Sequence, residues 1–233
     1  MINKLNYVLE LVISRLKEDD NVRGALLYGS LARGQTHPYS DIDLMVIVKE
    51  GPSRTLCTQV EGVSVQMIER QDQEFKTKTC KPTRNRPISR DFRVVLDKEG
   101  WIESFIDSDQ VREARQTPLA LGGQEALIKK IDFKSSLHNL RGLMALNKET
   151  EIRLHLGDYI YLGLELLYDH KGWFLESRKN LLQNFKSRMG GKDIVDRIYK
   201  DHEVTDQVIA YEDFYNYILD HLDPIPSSYE LFW

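Results

Sequence analysis

Long apolar runs are missing from this chain. No stretch of about 18 apolar residues occurs, so no membrane-spanning helix is expected. The first twenty residues, MINKLNYVLELVISRLKEDD, do not make a signal peptide. Asn6, Glu10 and Arg15 interrupt the apolar positions, and no small-residue cleavage site follows. Cysteine is scarce. Cys57 and Cys80 are the only two, without metal-ligand spacing, which speaks against a disulfide scaffold and fits a reducing cytoplasm. The six histidines form no HxxxH pair and there is no CxxC, so a zinc site is not expected. An excess of positive charge is also absent. The formal net charge is −4, which argues against nucleic acid as the main partner.

What is present suffices for a core: 41% of the 233 residues are apolar, enough for one large domain or two small ones. Charge is unevenly spread. Residues 201–233 hold eight acidic side chains and no Lys or Arg, whereas residues 76–90, KTKTCKPTRNRPISR, hold six basic ones and no acid. The plain reading is a solvated acidic helix face and a solvated basic loop. The sharper one is a basic loop that meets phosphates and an acidic half that meets a cationic substrate.

Hydrophobic spacing divides the chain. Leu5, Val8, Leu9, Val12 and Leu16 recur at helical intervals and predict a helix over residues 4–18. VRGALLYG reads as a short buried strand ending in Gly29, DIDLMVIV as a second and GVSVQMIE as a third. FRVVLDKEGWI suggests a hairpin turning at Asp97–Gly100. From about residue 122 the period becomes 3.6. Helices are expected in LIKKIDFKSSLHNLRGLMAL, IRLHLGDYIYLGLELLYDH, SRKNLLQNFKSRM and DFYNYILDHL. Ser177 would cap the third of these and Gly190-Gly191 would end it. The expected fold is α+β: strands and helices together over residues 1–120, then a helical bundle over 121–233, divided near TPLALGGQ.

Asp41 and Asp43 pose the chemical question. Strand side chains alternate, so the two carboxylates share a face and repel. A divalent cation relieves that repulsion. Hard oxygen donors suit Mg²⁺, which readily shares its shell with substrate phosphates. Gly29 and Ser30 lie at the end of the preceding strand, where backbone N–H groups can approach a phosphate closely, and Arg33 adds a cation on the same turn. As a structural alternative, Asp41 is a turn residue and Asp43 a solvent-facing strand residue.

Gly29-Ser30, ten intervening residues and Asp41-Ile42-Asp43 resemble the signature of the DNA polymerase β-type nucleotidyltransferases. GSLARG and SDIDL look most like its antibiotic-modifying and small bacterial members, and the helical C-terminal half is similar to that of the aminoglycoside and lincosamide enzymes. The resemblance implies a five-stranded mixed sheet with helices on one face, and ATP held with Mg²⁺. A hydroxyl of a small-molecule acceptor, cationic if the acidic half contacts it, would attack the α-phosphate. Gly29 and Ser30 would bind the triphosphate with Arg33 and Ser40 as neighbours, and Asp41 and Asp43 would bind metal. It further implies that a basic residue of the helical half, here Lys179, reaches the triphosphate. A homodimer is left open, because some relatives build their site across one.

Active relatives place a third carboxylate on a neighbouring strand. Here that strand is GVSVQMIER, whose candidate positions hold Ser64 and Gln66, while Glu61 and Glu69 have the wrong parity unless a bulge intervenes. A general base could instead come from the helical half. Asp158 and Glu165 lie seven residues apart on one helix face, and Glu165 sits in the apolar context LELLY. Capping or ion pairing is the structural alternative for both. Two further functions stay open: transfer to a protein or RNA partner, as in toxin–antitoxin pairs, and nucleotide binding without transfer.

Overall fold

The computed structural model describes residues 2–189, 193–200 and 203–224. Gly190-Gly191, expected to end a helix, fall outside the described residues, as does the end of the acidic stretch. The chain divides into two units: Met1–Thr83 with Pro87–Thr117, and Arg84–Arg86 with Pro118–Trp233. The return of three residues of the basic stretch to the second unit has no local sequence signal.

The first unit follows the order α1 (Ile2–Glu18), β1 (Val22–Tyr28), α2 (Gly29–Ala32), β2 (Ile42–Val48), β3 (Arg54–Val60), β4 (Val63–Gln71) and α3 (Asp72–Cys80). A 3-10 turn (Ile88–Asp91), β5 (Arg93–Asp97), α4 (Ile102–Ile106) and α5 (Asp109–Gln116) complete it. The five strands form one mixed sheet in the order β3-β4-β2-β1-β5. Only the β2–β4 pair is parallel; β1 runs antiparallel to β2 and β5, and β3 to β4.

β1 and β2 are almost continuously apolar, and such strands need cover on both faces. Leu5, Val8, Leu9 and Val12 of α1 bury one face, against Ala25, Leu27, Ile42, Leu44 and Val46. Leu26, Met45 and Ile47 point the other way, beneath Phe75 of α3 and Ile102 and Ile106 of α4. Helices thus cover both faces, not the single face that the resemblance implied. The hairpin at Asp97–Gly100 is also corrected: β5 is followed by a helix. The Asp97 carboxylate accepts the N–H groups of Gly100 and Ile102, both at 2.8 Å. Ile102 is the first residue of α4 and its N–H is one that a helix start leaves unpaired, so the turn opens α4.

The second unit contains α6 (Gly123–Ala145), α7 (Glu149–His170), α8 (Arg178–Arg188), α9 (Ile194–Lys200) and α10 (Val204–Leu219). The four helices expected here are present; α9 is additional. Ser177 occupies the N-cap of α8, but its side chain makes no capping hydrogen bond. Val204, Val208, Tyr211, Phe214 and Ile218 form the buried stripe of α10 and meet Phe133, Leu137 and Leu140 of α6 and Ile160 and Leu164 of α7. A Cβ on Gly163 would lie 2.6 Å from the Phe133 ring, so a glycine is what lets α6 and α7 approach. Ser136 and Tyr211 share a buried hydroxyl–hydroxyl bond of 2.6 Å. Among the described residues, no helix is long and apolar enough to cross a membrane.

Candidate active site

The expected corner is assembled by β1, α2 and β2. Tyr28, the last residue of β1, pairs with Asp43 in the antiparallel ladder. Gly29 then turns the chain with φ +73°, a conformation open to glycine and strained for other residues. A Cβ on Gly29 would lie 2.1 Å from Asp43 Oδ2. The glycine is therefore needed twice, for its backbone and for the space that the Asp43 carboxylate occupies. Ser30 is buried on the same turn.

Asp43 is half-buried and shares its strand face with Met45 and Ile47; Asp41 immediately precedes the strand with the same parity. Their joint field reaches the Tyr28 phenol. Burial first, then Asp43 and Asp41, pushes the Tyr28 pKa up to about 12. Both carboxylates thus act on one hydroxyl at the end of β1, and Tyr28 is a site neighbour that the motif did not announce.

The remaining expected residues are placed as follows. Arg33 follows α2, and its Nη1 donates to the Asp91 carboxylate at 2.5 Å while Nε donates to Gln35 at 3.0 Å. The Asp91 side chain is only 6% exposed, so this pair fixes the 3-10 turn to the Gly-Ser corner. Ser40 Oγ accepts the His37 N–H at 2.8 Å, and the Ser40 N–H donates to the His37 carbonyl at 2.9 Å, which closes the loop ahead of Asp41. Glu165 and Lys179 belong to the second unit. Glu165 is buried with both oxygens engaged, one by Arg84 at 2.6 Å and one by Lys129 at 3.0 Å. Lys179 is exposed in the first turn of α8. Asp158, on the same helix as Glu165, is 68% exposed beside Arg178.

The strand that should carry a third carboxylate is β4, and its register is unbroken from Val65 to Gln71. Gln66 stands directly beside Asp43 on the parallel partner strand. Glu69 projects to the opposite face, where Arg54 Nε holds it at 2.6 Å. No bulge brings it round. Among the described residues, no group of three or more His, Cys, Asp or Glu side chains is placed to hold a metal. Two carboxylates on one face, with a glycine cradle behind them, still fit one Mg²⁺ whose shell is completed by phosphates and water. Asp41 and Asp43 would hold it.

Hollows open in this unit among the described residues. One, of about 260 Å³, is lined by His37, Tyr39, Ser40, Gln59 and Ser64 among others. Another, of about 190 Å³, lies over Met45, two residues along β2 from Asp43 and on the same face.

Residues 9–132, more than half of the chain, match the nucleotidyltransferase domain family, and the chain belongs to that family. It is also similar to a solved nucleotidyltransferase-like protein from Exiguobacterium sibiricum, at 12% identity over 92% of this chain and 74% of that one, with a TM-score of 0.45. No curated protein matches it.

Proposed function

We propose that the chain binds a nucleoside triphosphate, ATP in the first instance, with Mg²⁺ on Asp41 and Asp43, and transfers the nucleoside monophosphate to a hydroxyl of a small molecule. The observation that carries this reading is the interlock of Gly29 and Asp43. A glycine at positive φ whose missing Cβ makes room for a carboxylate brings backbone N–H groups and a metal ligand to one point. In the reaction the acceptor hydroxyl gives up its proton to solvent, its oxygen bonds to the α-phosphorus, the bond from that phosphorus to the bridging oxygen breaks, and pyrophosphate leaves. Bound Mg²⁺ supplies neutralisation of the charge that develops on the phosphoryl oxygens. The N–H groups at the start of α2 lack intrahelical acceptors and orient the triphosphate. Arg33 keeps the 3-10 turn in place through Asp91. Small molecules that carry several hydroxyls, with aminoglycosides and lincosamides among them and phosphorylated ones beside them, make up the acceptor panel to assay.

The test is titration calorimetry with a nonhydrolysable ATP analogue and Mg²⁺, paired with a pyrophosphate-release assay. Conversion of both aspartates to asparagine should abolish the metal dependence of nucleotide binding. Unchanged affinity in that variant defeats the reading. A second reading, binding without transfer, draws on one observation: Gln66, not an acid, stands beside Asp43. It predicts tight analogue binding with no pyrophosphate released for any acceptor.

A further inference from the structure

The 190 Å³ hollow over Met45 has a composition that the nucleotide corner does not explain. Its walls carry three cationic side chains, Arg70, Lys78 and Lys81, and two aromatic rings, Phe75 and Phe92. Ser89 also lines it. That residue is 4% exposed, and its Oγ has no hydrogen-bond partner. A buried hydroxyl left unpaired is costly, and one beside a basic hollow is relieved by an incoming acceptor of hydrogen bonds. The charge is not fully spent within the protein. Glu74 holds both Arg70 and Lys78 at 2.6 Å, which leaves three cations set against one acid, while Lys81 is exposed at the rim.

The hollow belongs with the aspartates. Met45 lies two residues from Asp43 on the same strand face, about 7 Å along the strand. Phe92 packs edge-on against Tyr28, with ring centroids 6.2 Å apart, and Tyr28 stands opposite Asp43 in the β1–β2 ladder. The turn that carries Ser89 is tied to the Gly-Ser corner by the Arg33–Asp91 pair. A volume of 190 Å³ is small for a nucleotide but ample for a phosphate and a few carbons.

We propose that this hollow is the subsite of the acceptor and that it takes a phosphate group borne by the hydroxyl-containing small molecule, an assignment that rests on the nucleotide-transfer reading above. The arrangement places the anion on Lys81, Lys78 and the Ser89 hydroxyl, with the attacking hydroxyl turned toward Asp43. It selects an anionic acceptor over the polycationic one that the acidic half of the sequence suggested.

Titration calorimetry with inorganic phosphate as probe tests this on the full chain, in Mg²⁺, with and without a saturating nonhydrolysable ATP analogue. Phosphate is expected to bind in the presence of the analogue. Lys81→Gln should weaken it about tenfold by removing a charge-assisted bond. Ser89→Ala should weaken it by a few fold while raising the melting temperature of the ligand-free protein, because it deletes an unpaired buried hydroxyl. Both variants should leave analogue affinity unchanged. Competition between phosphate and the analogue assigns the hollow to the triphosphate and overturns the proposal. So does phosphate binding that neither variant alters, or no phosphate binding at millimolar concentration. Failure of the analogue itself to bind overturns the nucleotide reading and the acceptor assignment together, whereas the Lys81 dependence reports on the hollow alone.

Discussion

Gly29 is where backbone and chemistry meet in one residue. Alanine there would be strained at φ +73° and would drive its methyl into the Asp43 carboxylate. Gly29→Ala should therefore cost about 1 kcal/mol of stability and weaken Mg²⁺-dependent nucleotide binding by roughly tenfold or more. Thermal melts and calorimetry separate the two effects; a variant that loses stability but keeps nucleotide affinity shows that Asp43 has an equivalent position elsewhere. Tyr28 offers a second reading of the same corner. Its folded pKa is raised to about 12, by burial first and the aspartates next, above an unfolded value near 10. Between those values the folded chain keeps a proton that the unfolded chain has released. The contribution of Tyr28 is thus fully present below about pH 10 and is lost as pH rises toward 12. Asp43→Asn should lower the pKa of Tyr28 without returning it to 10, because burial persists. Residue-resolved NMR of labelled tyrosine reads this directly. No movement on Asp43→Asn would place the carboxylate too far away to serve the corner.

At the scale of elements, register decides what stands beside Asp43. The unbroken parallel pairing of β2 with β4 puts Gln66 there and turns Glu69 to the other face. Gln66→Glu should create a three-carboxylate face. Without metal, repulsion should lower the melting temperature. With Mg²⁺ the loss should be recovered and exceeded, and pyrophosphate release should rise. A melting temperature that Mg²⁺ does not restore would mean that position 66 does not face the metal. The turn after β5 has its own test. Asp97→Ala removes the acceptor for Gly100 and Ile102 and should cost about 1 kcal/mol in denaturant unfolding. Much of this layout was legible because its strands and helices declare themselves by hydrophobic period. β1 and β2 bury most of their side chains, β4 is rich in Val and Ile, and α6, α7 and α10 keep a long apolar stripe. β3 was not legible: RTLCTQV has no buried residue, and its pairing with β4 is a matter of backbone. α3 buries only Phe75, so it carries no period. The hairpin expected after β5 failed because a turn that begins at Asp97 and holds Gly100 can lead into a helix as readily as into a strand; here Asp97 accepts the Ile102 N–H and a helix follows. Asp41, Asp43, Gly29 and Ser30 could be read from residue type and spacing. Ser89, Asp91 and Phe92 could not, since only tertiary structure brings them to that strand face.

For the whole molecule, Glu165 shows how a sequence-level candidate takes its meaning from the fold. Apolar neighbours on α7 suggested a general base, with capping or ion pairing as the structural alternative. The fold instead surrounds it with Arg84 at 2.6 Å and Lys129 at 3.0 Å, and Arg84 arrives from a three-residue segment far away in sequence. The same segment is stitched to α7's following turn by backbone bonds: Arg86 N–H to the Leu175 carbonyl at 2.9 Å and Leu175 N–H to the Arg84 carbonyl at 3.1 Å. A buried carboxylate with two cations is costly to disrupt from one side, because removal of a partner strands the other charge. Arg84→Met should cost about 3 kcal/mol. Glu165→Gln should also destabilise, and the double variant should lose less than the sum, with a coupling of about 1–3 kcal/mol. Urea unfolding of the four chains gives the cycle. Nucleotide affinity should be the same in all four, since Gly29, Ser30, Asp41 and Asp43 belong to the other unit. Purely additive losses, together with abolished transfer in Glu165→Gln alone, would return Glu165 to the role of base and make Arg84 and Lys129 its electrostatic surroundings.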